Sequence, residues 1–144
     1  MSGPALAALC AEQGWMVVHR QVLPDDAEQI RASLEVLSTR CNLILTTGGT
    51  GVAARDVTPE ATRAVLEKEL PGLAELMRTE GLKYTRRAVL SRGLAGTRGQ
   101  CLIVNVPGSP KGARQSMDAI LDLVPHVVDL LAGQTAHAED TKRP

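Results

Sequence analysis

A glycine-rich loop between residues 46 and 59 carries the groups best suited to chemistry in this sequence of 144 residues. Three of the four residues from Gly48 to Gly51 are glycines, which let the backbone turn tightly and approach a ligand closely. Converging backbone N–H groups bind anions such as phosphate, and the hydroxyls of Thr47 and Thr50 add donors. The loop lacks the Gly-Lys-Ser/Thr ending of a Walker A motif and does not match the GxGxxG dinucleotide fingerprint. A simple strand-to-helix turn is the structural alternative, but such a turn does not require the polar residues that follow.

Asp56, within this loop, is the candidate catalytic residue and metal ligand. A carboxylate beside an anion-binding loop is electrostatically unfavourable unless a cation accompanies it. Mg²⁺ bound to nucleotide phosphates would supply that cation, since it uses one or two carboxylates together with phosphate oxygens. The alternative is that Asp56 caps the next helix, but Thr58 already stands at the expected N-cap position before Pro59.

A second loop, from Asn105 to Gly112, follows another apolar segment and contains Pro107 and Gly108. Ser109 is predicted to cap a helix that begins at the next residue, and the free N–H groups of a helix N-terminus attract anions. Lys111 adds a full positive charge in the first turn, where a lysine is unfavourable for the helix alone. The alternative for Lys111 is a solvated side chain on a surface loop.

For three further polar residues, a structural role and a functional role both remain open. Asp25 precedes a predicted helix and, with Glu28, resembles a capping box, which is the role that the residues alone favour. Ser91 and Arg92 could supply a hydroxyl and a phosphate clamp, although an exposed salt bridge is the more common role of such an arginine. No Ser-His-Asp or Cys-His arrangement is visible. The pattern therefore favours positioning and electrostatic stabilisation, as in phosphoryl-type transfer.

Alternating apolar segments must position these loops. Segments that favour strands alternate with segments of helical periodicity, which predicts a three-layer α/β/α fold with a mostly parallel sheet. Ligands bind beyond the carboxyl ends of the strands in such sheets. The segment 87–100 is ambiguous between a short strand and a helical turn with loops. Strands are predicted over Trp15–Leu23, Leu43–Thr47 and Cys101–Val106, and helices over 2–13, 25–40, from Pro59, after Gly72, from Pro110, and over 125–133.

Composition argues against several classes of function. The formal net charge is zero and only two residues are aromatic, which disfavours nucleic-acid binding. No apolar run has the length of a membrane span, and no charged segment followed by an apolar one opens the sequence, so neither a membrane span nor a signal peptide is predicted. Three widely spaced cysteines indicate reduced thiols and a cytoplasmic location. We predict one domain over residues 1–133 and a polar, disordered tail over 134–144.

The combined motifs resemble the molybdopterin adenylyltransferases, a molybdenum cofactor biosynthesis family that includes the MogA and MoaB proteins and the gephyrin G domain. The resemblance rests on residues 43–51, 55–62, 90–92 and 105–112, in the order and spacing of the family. The related domain of the molybdenum-insertion enzyme has Ser-Gly-Gly-Val-Ser at the first loop, and the competence-damage-type domain has Gly-Gly-Leu-Gly, so both are disfavoured. Family members normally begin with a strand ahead of a Ser-Gly-Pro-Ala-Leu segment. This sequence opens at Met1, directly before that segment, so the resemblance predicts that the family's N-terminal strand is absent from it.

The resemblance implies Mg²⁺-dependent adenylylation of molybdopterin by ATP, with pyrophosphate as the second product. It also implies that Asp25 and Asp56 are functional carboxylates, that the protein is a homotrimer, and that the molybdenum-insertion enzyme is a partner. A non-catalytic molybdopterin-binding protein and a trimeric scaffold are the alternatives. The candidate ligand-binding residues are Thr47, Gly48, Gly49, Thr50, Gly51, Ser91, Arg92, Asn105, Pro107, Gly108, Ser109 and Lys111.

Overall fold

A computed structural model describes residues 2–133, which form a four-stranded sheet with helices on both faces. The tail predicted over 134–144 lies outside the described residues, as does Met1. The strands are β1 (Leu43–Thr47), β2 (Lys68–Glu69), β3 (Ala95–Arg98) and β4 (Cys101–Val106). The helices are α1 (Ser2–Glu12), α2 (Ala27–Leu37), α3 (Thr58–Val65), α4 (Pro71–Gly81), a 3₁₀ helix (Arg86–Leu90), α5 (Pro110–Ile120) and α6 (Val124–Leu131).

The strand order is β1-β4-β3-β2, and only the β1–β4 pairing is parallel. The α/β class with two helical layers is confirmed, whereas the sheet is mixed where the sequence predicted a mostly parallel one. The reason is the short connection between β3 and β4, where Gly99 has a φ of +57°. A two-residue turn joins strands only as an antiparallel hairpin, because a parallel pair needs a long crossover.

Strand β4 is the centre of the core because both of its faces are covered. Leu102, Val104 and Val106 pack in one cluster with α1, α4, α5 and α6, whereas Cys101 and Ile103 pack in a second cluster with α2 and α3. All five side chains are fully buried. Burial of an aliphatic side chain of this size contributes about 1.5–3 kcal/mol, so the two clusters hold the strand firmly between the helical layers.

The predicted helix caps are confirmed at one helix and wrong at two. Ser109 caps α5, and its Oγ accepts a hydrogen bond from the N–H of Gly112 at 3.0 Å. Asp26, rather than Asp25, caps α2, because the helix begins one residue later than the capping-box pattern suggested. Helix α3 begins at Thr58 itself, and no side chain caps it, because the residue in the capping position is Val57.

The prediction of a strand over Trp15–Leu23 is wrong. Residues 15–24 have no regular secondary structure, and Met16 and Val22 are 85% and 98% exposed. A strand needs a neighbour for its N–H and C=O groups. No backbone hydrogen bond joins residues 16–23 to another part of the described chain. A cleft of about 1160 Å³ lies between this segment, α1, α2 and the edge of β1.

Candidate functional site

The glycine-rich loop and the loop after β4 meet at one edge of the sheet. Their strands are parallel, and Thr47 at the end of β1 lies opposite Val106 at the end of β4. The N–H of Gly48 donates to the carbonyl of Val106 at 3.0 Å, and the hydroxyl of Thr47 donates to the carbonyl of Pro107 at 2.9 Å. A methyl group placed on Gly108 would lie 3.3 Å from the Cα of Gly48. The two predicted anion-binding loops therefore share one edge.

Glycine is required in the first loop by backbone conformation and by space. Gly48 and Gly49 have φ angles of +90° and +69°, a region that favours glycine. A Cβ on Gly49 would lie 2.3 Å from Oγ1 of Thr58, and one on Gly51 would lie 2.8 Å from Oδ2 of Asp56. Two consecutive left-handed residues after a parallel strand form the kind of tight bend that presents backbone N–H groups to an anion.

Asp56 is half-buried, and its carboxylate is oriented by its own loop. Its Oδ2 accepts a hydrogen bond from the N–H of Ala53 at 2.9 Å, and its own N–H donates to the carbonyl of Ala53 at 2.9 Å. No hydrogen bond from the described residues reaches its Oδ1. One carboxylate oxygen is thus held in a turn while the other remains available to a ligand.

Asp25 reaches the cleft beside the same loop. With Asp26 acting as the helix cap, Asp25 makes no hydrogen bond within the described chain and is exposed. It lines the cleft together with Thr47, Gly48 and Gly49. Because Asp25 does not cap α2, the structural role that was the alternative to a functional role for Asp25 is removed.

The N-terminus of α5 lies on the other side of the shared edge. Ser109 is fixed as its cap, Lys111 is exposed in the first turn, and no ion pair to Lys111 occurs within the described chain. The cap uses the N–H of Gly112. Pro110 has no N–H, and the N–H of Ala113 donates to the carbonyl of Ser109 at 2.9 Å. The N–H and the ammonium of Lys111 are therefore the groups of the first turn that are available to an anion.

Two of the ligand-binding residues predicted from the sequence lie behind the loops. Both form hydrogen bonds with other residues of the chain. Asn105 is 2% exposed; its Nδ2 donates to the hydroxyls of Thr46 and Thr62 at 2.8 and 3.0 Å, and its Oδ1 accepts from the N–H of Leu94 at 3.0 Å. The Oγ of Ser91 accepts a hydrogen bond from the N–H of Gly93 at 3.3 Å.

Arg92 contacts the glycine-rich loop through its guanidinium. It donates to the carbonyls of Gly51 and Asp56 and forms an ion pair with Glu60, in which Nη1 and Oε2 are 2.5 Å apart. Hydrogen bonds from Arg92 lower the pKa of the Glu60 carboxyl, and the same bonds raise the pKa of Arg92. Sequence reasoning missed Glu60, whose partner lies 32 positions away along the chain.

Ser2 was also missed, although it touches the candidate site. It is buried at the start of α1, and its hydroxyl lies 2.5 Å from the hydroxyl of Thr47. This contact brings the N-terminus of α1 against the end of β1. No local pattern could reveal it, because 45 positions separate the two residues.

Comparisons with known proteins identify the family of this chain. Residues 1–126 match the family described as "Probable molybdopterin binding domain". The chain belongs to this family.

Individual members are similar over nearly the whole chain. A molybdopterin adenylyltransferase of Helicobacter pylori J99 is 42% identical over 137 residues, which is 92% of this chain and 78% of that protein. The crystal structure of MoaB from Thermus thermophilus aligns with a TM-score of 0.86 and 48% identity, over 92% of this chain and 84% of that one. The Mog protein of Mycobacterium ulcerans aligns with a TM-score of 0.88 and 41% identity, over 93% of this chain and 88% of that one.

In this molybdopterin-binding domain, six of the candidate residues line two separate cavities. Asp25, Thr47, Gly48 and Gly49 line the large cleft described above. Ser91 and Arg92 line a smaller cavity of about 460 Å³ between α3 and α4. The loop that carries Asp56 runs between the two sets. Among residues 2–133, no helix combines the length and apolar character needed to cross a membrane.

Proposed function

We propose that this domain transfers the adenylyl group of ATP to molybdopterin. In this reaction an oxygen of molybdopterin attacks the α-phosphorus of ATP, a new P–O bond forms, and the bond to the β-phosphate breaks to release pyrophosphate. The proposal is supported by membership of the molybdopterin-binding family and by 42% identity to a protein named molybdopterin adenylyltransferase. It places the chain in molybdenum cofactor biosynthesis.

The observation that carries the proposal is the close approach of the two loops at Gly48 and Gly108. The N–H of Gly48 is used by the carbonyl of Val106. Because the loops share one edge, the N–H groups of Gly49 to Gly51 and the N-terminus of α5 can act on the same set of phosphates. Lys111 contributes a full charge, and Asp25 lies in the adjoining cleft. Backbone donors fixed in advance stabilise charge that develops at phosphorus without further reorganisation.

Asp56 is the proposed ligand of Mg²⁺. No group of three His, Cys, Asp or Glu side chains gathers as a metal site within residues 2–133. A single carboxylate with one available oxygen fits a Mg²⁺ ion whose other ligands are phosphate oxygens and water. When bound, the ion neutralises phosphate charge and polarises the bond to be broken. Asp56 itself holds one carboxylate oxygen in the turn of the loop, where the N–H of Ala53 fixes it.

We further propose that the protein is a cytoplasmic homotrimer that passes its product to the molybdenum-insertion enzyme. Exposed apolar side chains at the end of α4 and along the 3₁₀ helix support an interface between copies, because isolated monomers rarely leave such groups together in water. These side chains are Leu82, Tyr84, Val89 and Leu90. Light scattering of the purified chain measures the oligomeric state directly.

Substitution of Asp56 by asparagine tests the proposed reaction. Asn keeps the size of the side chain and can still accept the hydrogen bond from Ala53, but it removes the charge that binds Mg²⁺. We expect pyrophosphate release from ATP, Mg²⁺ and molybdopterin to fall by about 100-fold or more, since metal-dependent charge stabilisation is lost. Asp122→Asn, at an exposed aspartate just after α5, is the matched control and should retain full activity.

Three results would contradict the proposal. Equal turnover by Asp56→Asn and the Asp122→Asn control would remove Asp56 from the chemistry. Calorimetric binding of molybdopterin by the unmodified chain without any pyrophosphate release would favour the non-catalytic binding protein. Failure to bind either pterin or nucleotide would favour the scaffold.

A further inference from the structure

Arg92 forms three hydrogen bonds with the backbone of the glycine-rich loop. Its Nε donates to the carbonyl of Gly51 at 2.7 Å, and its Nη2 donates to the carbonyl of Asp56 at 2.8 Å. Its own backbone N–H donates to the carbonyl of Thr50 at 2.8 Å. One residue from a distant part of the chain thus holds the loop at both ends of the segment 51–56.

Glu60 completes this arrangement from the first turn of α3. Its two carboxylate oxygens accept hydrogen bonds from Nη1 and Nη2 of Arg92 at 2.5 and 3.3 Å. A guanidinium has five N–H donors in a rigid, planar fork. Four of these five are used by Gly51, Asp56 and Glu60. One N–H of Nη1 is left, so a phosphate could bind Arg92 through two N–H groups, as in a clamp, only by displacing one of these partners.

The segment held by Arg92 contains the turn that orients the Asp56 carboxylate. Asp56 and Ala53 exchange two hydrogen bonds, one from the N–H of Ala53 to Oδ2 and one from the N–H of Asp56 to the carbonyl of Ala53. A Cβ on Gly51 would clash with Oδ2, which shows how little space the turn leaves. Movement of either carbonyl that Arg92 holds would therefore move the carboxylate.

We propose that Arg92 is a positioning residue for Asp56, with Glu60 as its anchor, and that it acts on the reaction without contacting phosphate. This inference rests on the proposed function of Asp56. It assigns to Arg92 a role different from the phosphate clamp that its position in the sequence suggested. The rigid fork is essential, because a lysine ammonium cannot hold two carbonyls and a carboxylate in one plane.

Arg92→Lys and Glu60→Gln, singly and combined, test the inference by hydrogen exchange and by steady-state kinetics. We expect exchange of the Ala53 and Asp56 amides to rise about tenfold in Arg92→Lys and about threefold in Glu60→Gln, because the turn opens more often. We expect kcat to fall about tenfold or more in Arg92→Lys, since small displacements of a catalytic group are costly, while KM for ATP changes less than about twofold. Glu60→Gln should also lower kcat.

The control pair is Arg63 and Glu69, another exposed ion pair that involves α3, in which Nη1 and Oε1 are 2.7 Å apart. Arg63→Lys and Glu69→Gln should leave loop exchange and kcat unchanged, since neither residue touches the loop.

The positioning role and direct phosphate binding by Arg92 predict different effects of Glu60→Gln on KM for ATP. If Arg92 bound phosphate directly, loss of the competing carboxylate in Glu60→Gln would lower KM for ATP, and Arg92→Lys would raise KM with no change in loop exchange. That pattern would overturn the inference. The exchange measurement needs no turnover, so it decides the positioning role even if the proposed reaction fails its own test.

Discussion

Asn105 links three parts of the molecule through a single side chain. Its amide contacts the hydroxyl of Thr46 on β1, the hydroxyl of Thr62 on α3 and the N–H of Leu94 before β3. The side chain uses both of its donors and accepts one hydrogen bond, so it holds the sheet edge from beneath the two loops. This position supports the site by fixing the strands that carry it.

Asn105→Ala is expected to destabilise the fold by about 2–4 kcal/mol, because the N–H of Leu94 loses its partner in a buried position and a cavity forms. Asn42→Ala is the matched control, since Asn42 is exposed immediately before β1 and should change stability by less than about 0.5 kcal/mol. The free energy of unfolding in urea measures both changes. Similar values for the two variants would show that the Asn105 network contributes little.

At the scale of elements, the bend after β1 depends on the paired left-handed glycines. Gly49→Ala would place a methyl group 2.3 Å from Oγ1 of Thr58 at a φ of +69°. We expect a loss of about 1–3 kcal/mol in stability from the strained backbone, together with weaker ATP binding, since the start of α3 must shift away from the loop.

Gly72→Ala is the control for that experiment, because Gly72 lies in the first turn of α4 and a Cβ there meets nothing within 4 Å. Alanine at an open helical position is expected to be neutral or to stabilise by about 0.5–1 kcal/mol. Thermal denaturation and calorimetric titration with ATP give the two readouts. Equal melting temperatures for Gly49→Ala and the unmodified chain would contradict the steric argument.

At the scale of the whole molecule, the thiol of Cys101 reports on global unfolding. It is fully buried in β4, and burial raises its pKa from 9.0 to about 12. At pH 8 this shift alone lowers the thiolate fraction about 10³-fold, and the thiolate is the reactive species. We expect iodoacetamide to modify Cys101 only when the domain unfolds, after Cys10 and Cys41, which are half-buried. Peptide mass spectrometry during alkylation follows each thiol separately.

The raised pKa of Cys101 also makes the stability of the fold depend on pH. The folded state holds the Cys101 proton more tightly than the unfolded state, so its contribution is complete below pH 9.0 and is lost as the pH rises toward 12. Alkylation of Cys101 at the rate of an unfolded peptide under native conditions would show that β4 is not a stable centre of the fold.

Local patterns in the sequence were sufficient for the elements that are stabilised by their own residues. The bounds of β1 and β4 were predicted correctly, because apolar runs that are covered on both faces need no information about their neighbours. The start of α5 at Pro110, with Ser109 as its cap, was also predicted correctly, since a cap and a proline act within one turn. The sequence also identified the family, because its motifs are short and contiguous.

Tertiary structure decided everything that depends on a partner distant along the chain. Trp15–Leu23 has the residues of a strand, but no neighbouring strand pairs with it among the described residues. The sheet is mixed because of one tight hairpin. The pairing of Arg92 with Glu60 and the interior role of Asn105 were not visible either. The type of a residue limits which contacts it can make, whereas the packing of distant elements determines which of those contacts form.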